Sequence, residues 1–459
     1  MAIDKIIDRA ATIVIPTVGS TEVSDDSNTS TGALDIPAGT TAERPSSPTS
    51  GMIRYNTDTL STEIYDGTAW GKVSPLTPTL NSISETVYTT FAKNLALAGL
   101  NFLSSNLVVG FTPSGGSETT VTVTPTSDTA ATVAIPSAIY NQSGGTSISV
   151  TVTNSDNRTS GAQSFSVTGI PTGGDHVFDQ GSDRVHIFKS NANFVVPSGL
   201  TLTNVEYLII AGGGGGSNNG GGGGSGGLRS SVVGDQSGFS NGAAGPTSAE
   251  SRFSSMTAST YPVVVGTGGT GGSSNANGNN SSFNTIVSTG GGRGGQLHSH
   301  NGGAGGSGGG GSGYNFTTGG NGTDGQGGGG GGGYPGQANG YAGGGGGGAA
   351  ANGNGATSSG GGVGGVGLIS TIITSANATT YGVGDVDSGN VYFAGGGNGR
   401  GAGTVPLGSA TGPLGGGGGA DTVAGSQVGN GGVDYTGGGG GCADGDGGDG
   451  VVIVRYVLP

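Results

Sequence analysis

His298 and His300 flank a single residue, Ser299, just after Gly294-Gly295. Two imidazoles at i and i+2 point the same way on an extended chain and could share a metal ion. No cysteine or further histidine stands near them, so no metal is expected and the pair reads as contact residues for sugar or protein. Asp444, Asp446 and Asp449 could offer oxygen to a hard cation, but their spacing is not that of an EF-hand, and Asp-Gly pairs are turn formers. Gly416–Ala424, GGGGADTVA, fits one calcium-binding nonapeptide with Asp421 at the ligand position. That motif works through tandem copies that share each ion, and there is no second copy. G-x-G-x-x-G matches abound, as the glycine content dictates. The one that follows a strand-like segment, Val205–Ile210, leads into Ser217-Asn218-Asn219 and more glycine instead of the helix a dinucleotide needs. No Gly-Lys-Ser/Thr sequence marks a P-loop. No G-x-S-x-G is placed between a strand and a helix, and carboxylates are too sparse after Gly212 for a paired hydrolytic site. Cys442, the single cysteine, reads as an inert small residue. The expectation is a protein that is not an enzyme and takes no cofactor.

What would position such residues is mostly glycine. Of 110 glycines in 459 residues, 18 precede Gly212 and 92 follow from there. Runs such as Gly212–Gly216, Gly327–Gly333, Gly343–Gly348 and Gly415–Gly419 recur through this half. Glycine loses the most backbone entropy on folding, so it weakens ordinary helices and strands. It is favoured where backbones must approach very closely. The runs are broken by Val205–Ile210, Tyr261–Val265, Phe283–Val287, Leu368–Ile373, Val391–Phe393 and Val451–Tyr456. These pieces are β-branched and aromatic, unlike a disordered linker. Collagen requires glycine at every third position and much proline, and the chain has 17 prolines. A continuous glycine run can take the extended threefold polyproline-II form, whose N–H and C=O groups point outward. Neighbouring runs can satisfy those groups in one another. The sequence therefore predicts polyglycine II helices stacked on a β-framework.

Charge narrows the partners. The net charge is −14, and after Gly212 there are five arginines, no lysine and ten acidic residues. Nucleic acid would call for clustered Lys and Arg, so it is not expected as a partner. No run of about 18 apolar residues predicts a membrane span. The start, Met1-Ala2-Ile3-Asp4-Lys5, lacks the basic and apolar regions of a secretory signal.

The remainder divides into three parts, 1–73, 74–170 and 171–459, in a mostly β chain. In the first, Ile3, Ile6 and Ile7 have the spacing of a helical turn, and Ala11–Val18 reads as a strand. Met52–Asn56 and Thr62–Tyr65 read as a hairpin about Thr57-Asp58-Thr59, with Trp70 capping it. Gly51–Thr57 (GMIRYNT) and Tyr65–Trp70 (YDGTAW) resemble a module that recurs in bacteriophage tail-fibre and other virion-fibre proteins. In the second part, seven strand-like runs between Leu80 and Val167 come at the spacing of a sandwich. Ile148, Val150 and Val152 alternate with Ser149 and Thr151. Leu97-Ala98-Gly99-Leu100-Asn101-Phe102 followed by Val108–Phe111 resembles immunoglobulin-like domains of the IPT/TIG kind.

In the third part, YLIIAGGGGG, VVVGTGG, SSFNTIVSTGGG and DGVVIVRY resemble a glycine-rich β-domain common in proteins of marine and other phages. More distantly they resemble the adhesins at the long tail-fibre tips of T-even-type phages. The resemblance implies a virion structural protein made in the host cytoplasm, a tail fibre or fibre tip that attaches to a host receptor, glycan or outer-membrane protein, through its glycine-rich domain. Residues 1–73 would hold a homotrimer together and join it to other virion proteins. A head-decoration fibre on the capsid and a cellular surface adhesin are the alternatives. A glycine stack has few side chains with which to discriminate ligands. Recognition is therefore expected in the large residues that interrupt it: His298, His300, Tyr314, Phe316, Tyr334, Tyr341 and Tyr381.

Overall fold

The computed structural model describes residues 36–73, 77–103, 106–218, 220–232, 248–296, 300–313, 316–335, 342–358, 360–401, 411–420 and 429–458. The helical turn and strand expected before residue 36 lie outside them. The chain forms two compact units, Met1–Thr77 and Pro78–Pro459, and is mostly β.

In the first unit Ile53–Asn56 pairs antiparallel with Ser61–Tyr65, as the hairpin pattern predicts. Two short strands extend it: Ala38–Gly39, parallel to Ile53–Asn56, and Trp70–Lys72, antiparallel to Ser61–Tyr65. Trp70 thus opens a further strand and sits directly across from Tyr65, ring centroids 5.6 Å apart. Alternation gives this sheet two unlike faces. Arg54, Asn56 and Glu63 are buried, and Glu63 receives two bonds from Arg44, at 3.1 and 2.6 Å, and one from Asn56 at 3.1 Å. Arg44 and Asn56 hold the Glu63 carboxyl below its ordinary pKa. The other face carries Ile53, Ile64 and Val73, all exposed.

The second unit begins with a seven-stranded antiparallel sandwich of immunoglobulin-like form. Thr79–Ser84, Asn94–Leu100 and Ala130–Ala134 make one sheet. Gln163–Ser166, Ser147–Thr153, Leu107–Pro113 and Thr119–Val123, in that order, make the other. Ile148, Val150 and Val152 are fully buried between the sheets with Leu95, Leu107 and Phe111. That outcome follows from the two-residue period of the strand.

Beyond it, a central sheet runs in the order His176–Gln180, Asp183–Phe188, Val451–Val457, Leu202–Ile210, Leu228–Ser230. The strand Val451–Val457 is therefore central, antiparallel to both neighbours. Its apolar run Val451–Val454 reflects burial on both faces. Val451 and Ile453 join a core with Leu208, Ile372 and Phe393. Val452, Val454 and Tyr456 join another with Phe194, Tyr207 and Phe283. Phe283–Val287, expected as one strand, is two: Ser281–Phe283 and Ile286–Ser288 pair about Asn284, whose φ is 52°. Of Leu368–Ile373 only Leu368–Ile369 is strand, and a helix, Ser375–Tyr381, follows, capped by the Thr374 hydroxyl and closed by left-handed Gly382.

The glycine runs leave the ends of these strands and pack as threefold helices. Run 220–227 shows the arrangement. Gly221, Gly224 and Gly227 donate to the carbonyls of Gly295, Gly292 and Thr289. Gly222 and Ser225 donate to Gly344 and Gly347, and Gly223 and Gly226 to Gly440 and Gly437. The carbonyls of the same run accept from Ala211, Gly214 and Ser217, from Ser307 and Gly310, and from Gly397 and Arg400. Each neighbour recurs at every third residue, so the run makes three residues per turn and is surrounded by six others. The whole run is buried although it has no apolar side chain. A Cβ on Gly223 would lie 1.9 Å from the Gly214 carbonyl oxygen. Close packing thus excludes every larger residue there.

Candidate functional site

The same register determines where the interruptions of the stack fall. Ile210 and Leu228 are paired in the central sheet, and the runs between them lead out and back. Seven residues at about 3.1 Å each carry the turn at Ser217 roughly 20 Å from the sheet. Hydrogen bonds place other turns at this level. Gly295 and Ser217 both meet Gly221, while Gly310 and Gly344 meet Gly222. The Arg400 carbonyl accepts from Gly343, and the Ser217 carbonyl accepts from Ala443. Gly272 bonds to Gly216, and Tyr334 bridges to Ala342. The far end of the stack is thus a single surface made from many separate turns.

His300, Phe316 and Tyr334 all lie there. His300 is exposed, and its carbonyl accepts from Ser312 N at 3.4 Å. Phe316 is 72% exposed and meets Tyr334 edge-on, ring centroids 6.1 Å apart. His298, Tyr314 and Tyr341 lie outside the described residues, as does Asp421 of the nonapeptide motif. Tyr381 is not brought to this end. Its ring stacks on Phe178 at 4.4 Å beside His176, and it packs against the core beneath the central sheet. Its carbonyl accepts from Lys189, whose ammonium also lies over Tyr435 at 4.4 Å. Burial of this lysine lowers its pKa.

Two carboxylates after Gly212 serve the stack directly. Asp446 accepts from Gly271 N at 2.6 Å and Asp449 from Gly268 N at 2.8 Å. Each stands in for the carbonyl of a neighbouring run. Asn277, Asn280, Asn352 and Asn398 do the same for Arg293, Gly290, Gly329 and Gly364. Among the described residues no three His, Cys, Asp or Glu side chains converge as metal ligands. Glu250 joins Arg229 and the Tyr207 hydroxyl at the sheet, where burial and that carboxylate raise the tyrosine pKa.

The sequence reading missed a pattern in the outer runs. Thr267-Gly-Gly-Thr270-Gly-Gly-Ser273 and Val363-Gly-Gly-Val366 place an exposed side chain at every third position, with glycines turned inward. The three-residue spacing was available as a signal for which side of each run faces water.

Among the described residues the end surface offers aromatic, imidazole, amide, hydroxyl and backbone groups. No curated protein matches the sequence. The model of the glycine-rich domain matches residues 188–457, which takes in the strands Leu202–Ile210, Leu228–Ser230 and Val451–Val457 of the central sheet, most of both cores and the entire stack. With more than half its length inside that match, the chain belongs to the glycine-rich domain family.

Proposed function

We propose that this is a phage virion structural protein, a tail fibre or fibre tip, whose glycine-rich domain attaches the particle to its host. The observation that carries this reading is the collection of many turns on one surface about 20 Å from the nearest sheet. Such a surface tolerates changes in its turns while the stack beneath stays fixed, as a receptor-binding end requires. Weak contacts there gain strength from several copies on one particle. The first unit supports the other half of the proposal. Its exposed Ile53, Ile64 and Val73 form an apolar sheet face on a unit too small to bury a large core by itself. The fibre-module resemblance of Gly51–Thr57 and Tyr65–Trp70 supports a homotrimer closed over this face and joined there to other virion proteins.

Immunogold electron microscopy of particles tests the reading. Label at the tail or its fibres is expected. Label over the capsid would replace the tail fibre by a head-decoration fibre. Label on uninfected cells would make the protein a cellular adhesin.

A further inference from the structure

Phe316 stands out at the far end of the stack. Its φ is 49°, in the left-handed region that a bulky residue enters only where its surroundings force it. It also leaves 72% of its surface in water, so burial does not offset that strain. The ring meets Tyr334 at an interplanar angle of 77° and forms an open corner. Both walls stand on the stack. Tyr334 exchanges backbone bonds with Ala342 at 2.8 and 3.1 Å. Thr317, next to Phe316, is buried. Its hydroxyl donates to the Ser312 carbonyl, and its own carbonyl accepts from Gly333 N at 2.9 Å. Ser312 is wholly buried, and its Oγ has no hydrogen-bond partner among the described residues. Asn301 holds Thr318 N at 3.1 Å. From His300 to Thr318 there is no Asp, Glu, Lys or Arg.

We infer that the Phe316–Tyr334 corner is a subsite for one ring of an uncharged, hydroxyl-rich glycan. The negative face of an aromatic ring attracts the weakly positive C–H groups on one face of a sugar. The exposed Asn301 and Thr318 side chains beside it both donate and accept, as do sugar hydroxyls. The lack of formal charge from His300 to Thr318 disfavours acidic or basic ligands. A protein ligand would call for a broader buried centre with several apolar anchors, where the described residues of the corner offer the exposed Phe316 ring braced by Tyr334. The inference rests on the reading of this surface as the attachment end.

The test uses the full-length protein and methyl glycosides of neutral hexoses and N-acetylhexosamines, observed by saturation-transfer NMR. Transfer to ring C–H protons of at least one glycoside is expected. Phe316→Leu keeps an apolar group without the aromatic face and should weaken binding at least tenfold. Phe316→Tyr should retain it. The side chain is exposed, so both variants should melt like the wild type. Transfer to none of the glycosides, or undiminished transfer with Phe316→Leu, overturns the subsite. Adsorption of particles carrying Phe316→Leu to host cells separates this from the broader reading. Lost sugar transfer with unchanged adsorption supports the subsite and refutes attachment through this end. Lost adsorption with no sugar transfer in the wild type refutes the subsite and leaves a protein ligand.

Discussion

A missing methyl group is the main structural element of this protein at the scale of residues. A Cβ on Gly345 would lie 2.2 Å from the Val363 carbonyl oxygen, in a run with no flexible side chain that could yield. Gly345→Val should therefore cost on the order of 1–3 kcal/mol or more. Gly355 is the control, because the nearest atom to its added Cβ is the Gly332 carbonyl at 3.7 Å. Gly355→Ala should be neutral or slightly stabilising, by up to about 1 kcal/mol through the unfolded chain. Melting temperatures of the two variants decide the matter, and equal values would return the runs to the status of linkers. His186 makes a second prediction. It is fully buried, donates from Nδ1 to the Gly173 carbonyl at 2.7 Å and accepts at Nε2 from the Tyr456 hydroxyl at 3.0 Å. Burial pushes its pKa down to about 4, against the Gly173 bond that favours the charged form and with a smaller downward push from Arg184. The folded pKa lies below the unfolded value near 6.5, so the unfolded chain binds the extra proton between them. The His186 contribution to stability is full above about pH 6.5, falls by roughly 3 kcal/mol as the pH drops to about 4, and then levels off. Denaturant midpoints across this range should fall in the wild type and fall less in His186→Gln.

Elements repeat the lesson with side chains present or absent in rhythm. The strand Val451–Val457 was legible because four successive residues, Val451 to Val454, carry the mark of burial on two faces. Ile148, Val150 and Val152 were legible by alternation, and the runs by their sheer glycine content. His176–Gln180 was not legible, because as an edge strand it exposes Val177 and mixes polar with apolar residues. The helix Ser375–Tyr381 was hidden by Ser, Asn and Thr, which favour caps and turns over helix interiors. Of the candidate site, His300, Phe316 and Tyr334 were found as large residues between runs. Tyr381 met the same criterion yet fills a gap beside Phe178, since spacing in the sequence does not say at which end of a run a residue falls. Period three is the register rule to test. Exchanging Gly269 and Thr270 through the double variant Gly269→Thr, Thr270→Gly keeps the composition. It moves a side chain to a place where a Cβ lies 2.1 Å from the Ala276 carbonyl oxygen. A loss of about 1–3 kcal/mol is expected, read as a lower melting point. An unchanged melting point would show that the outer runs have no fixed face.

For the whole molecule, the apolar face of Ile53, Ile64 and Val73 leads to an expected mass in solution. Sedimentation of the full chain should give a trimer, and a chain beginning at Leu76 should give a monomer. A monomeric full chain, or a trimer that survives removal of residues 1–75, would discard the role given to the first unit. The stack adds a thermodynamic signature of its own. Where most domains withdraw hydrocarbon from water, run 220–227 and its six neighbours withdraw peptide groups. Exposing apolar surface raises the heat capacity of unfolding, and exposing polar surface lowers it. Scanning calorimetry should therefore give a heat-capacity increment per residue below the usual 12–15 cal/mol/K, roughly speaking. The stability curve would then be flatter than that of an oily core of equal size. Such a protein would lose little of its stability on cooling and would hold nearly the same margin over a wide span of temperature.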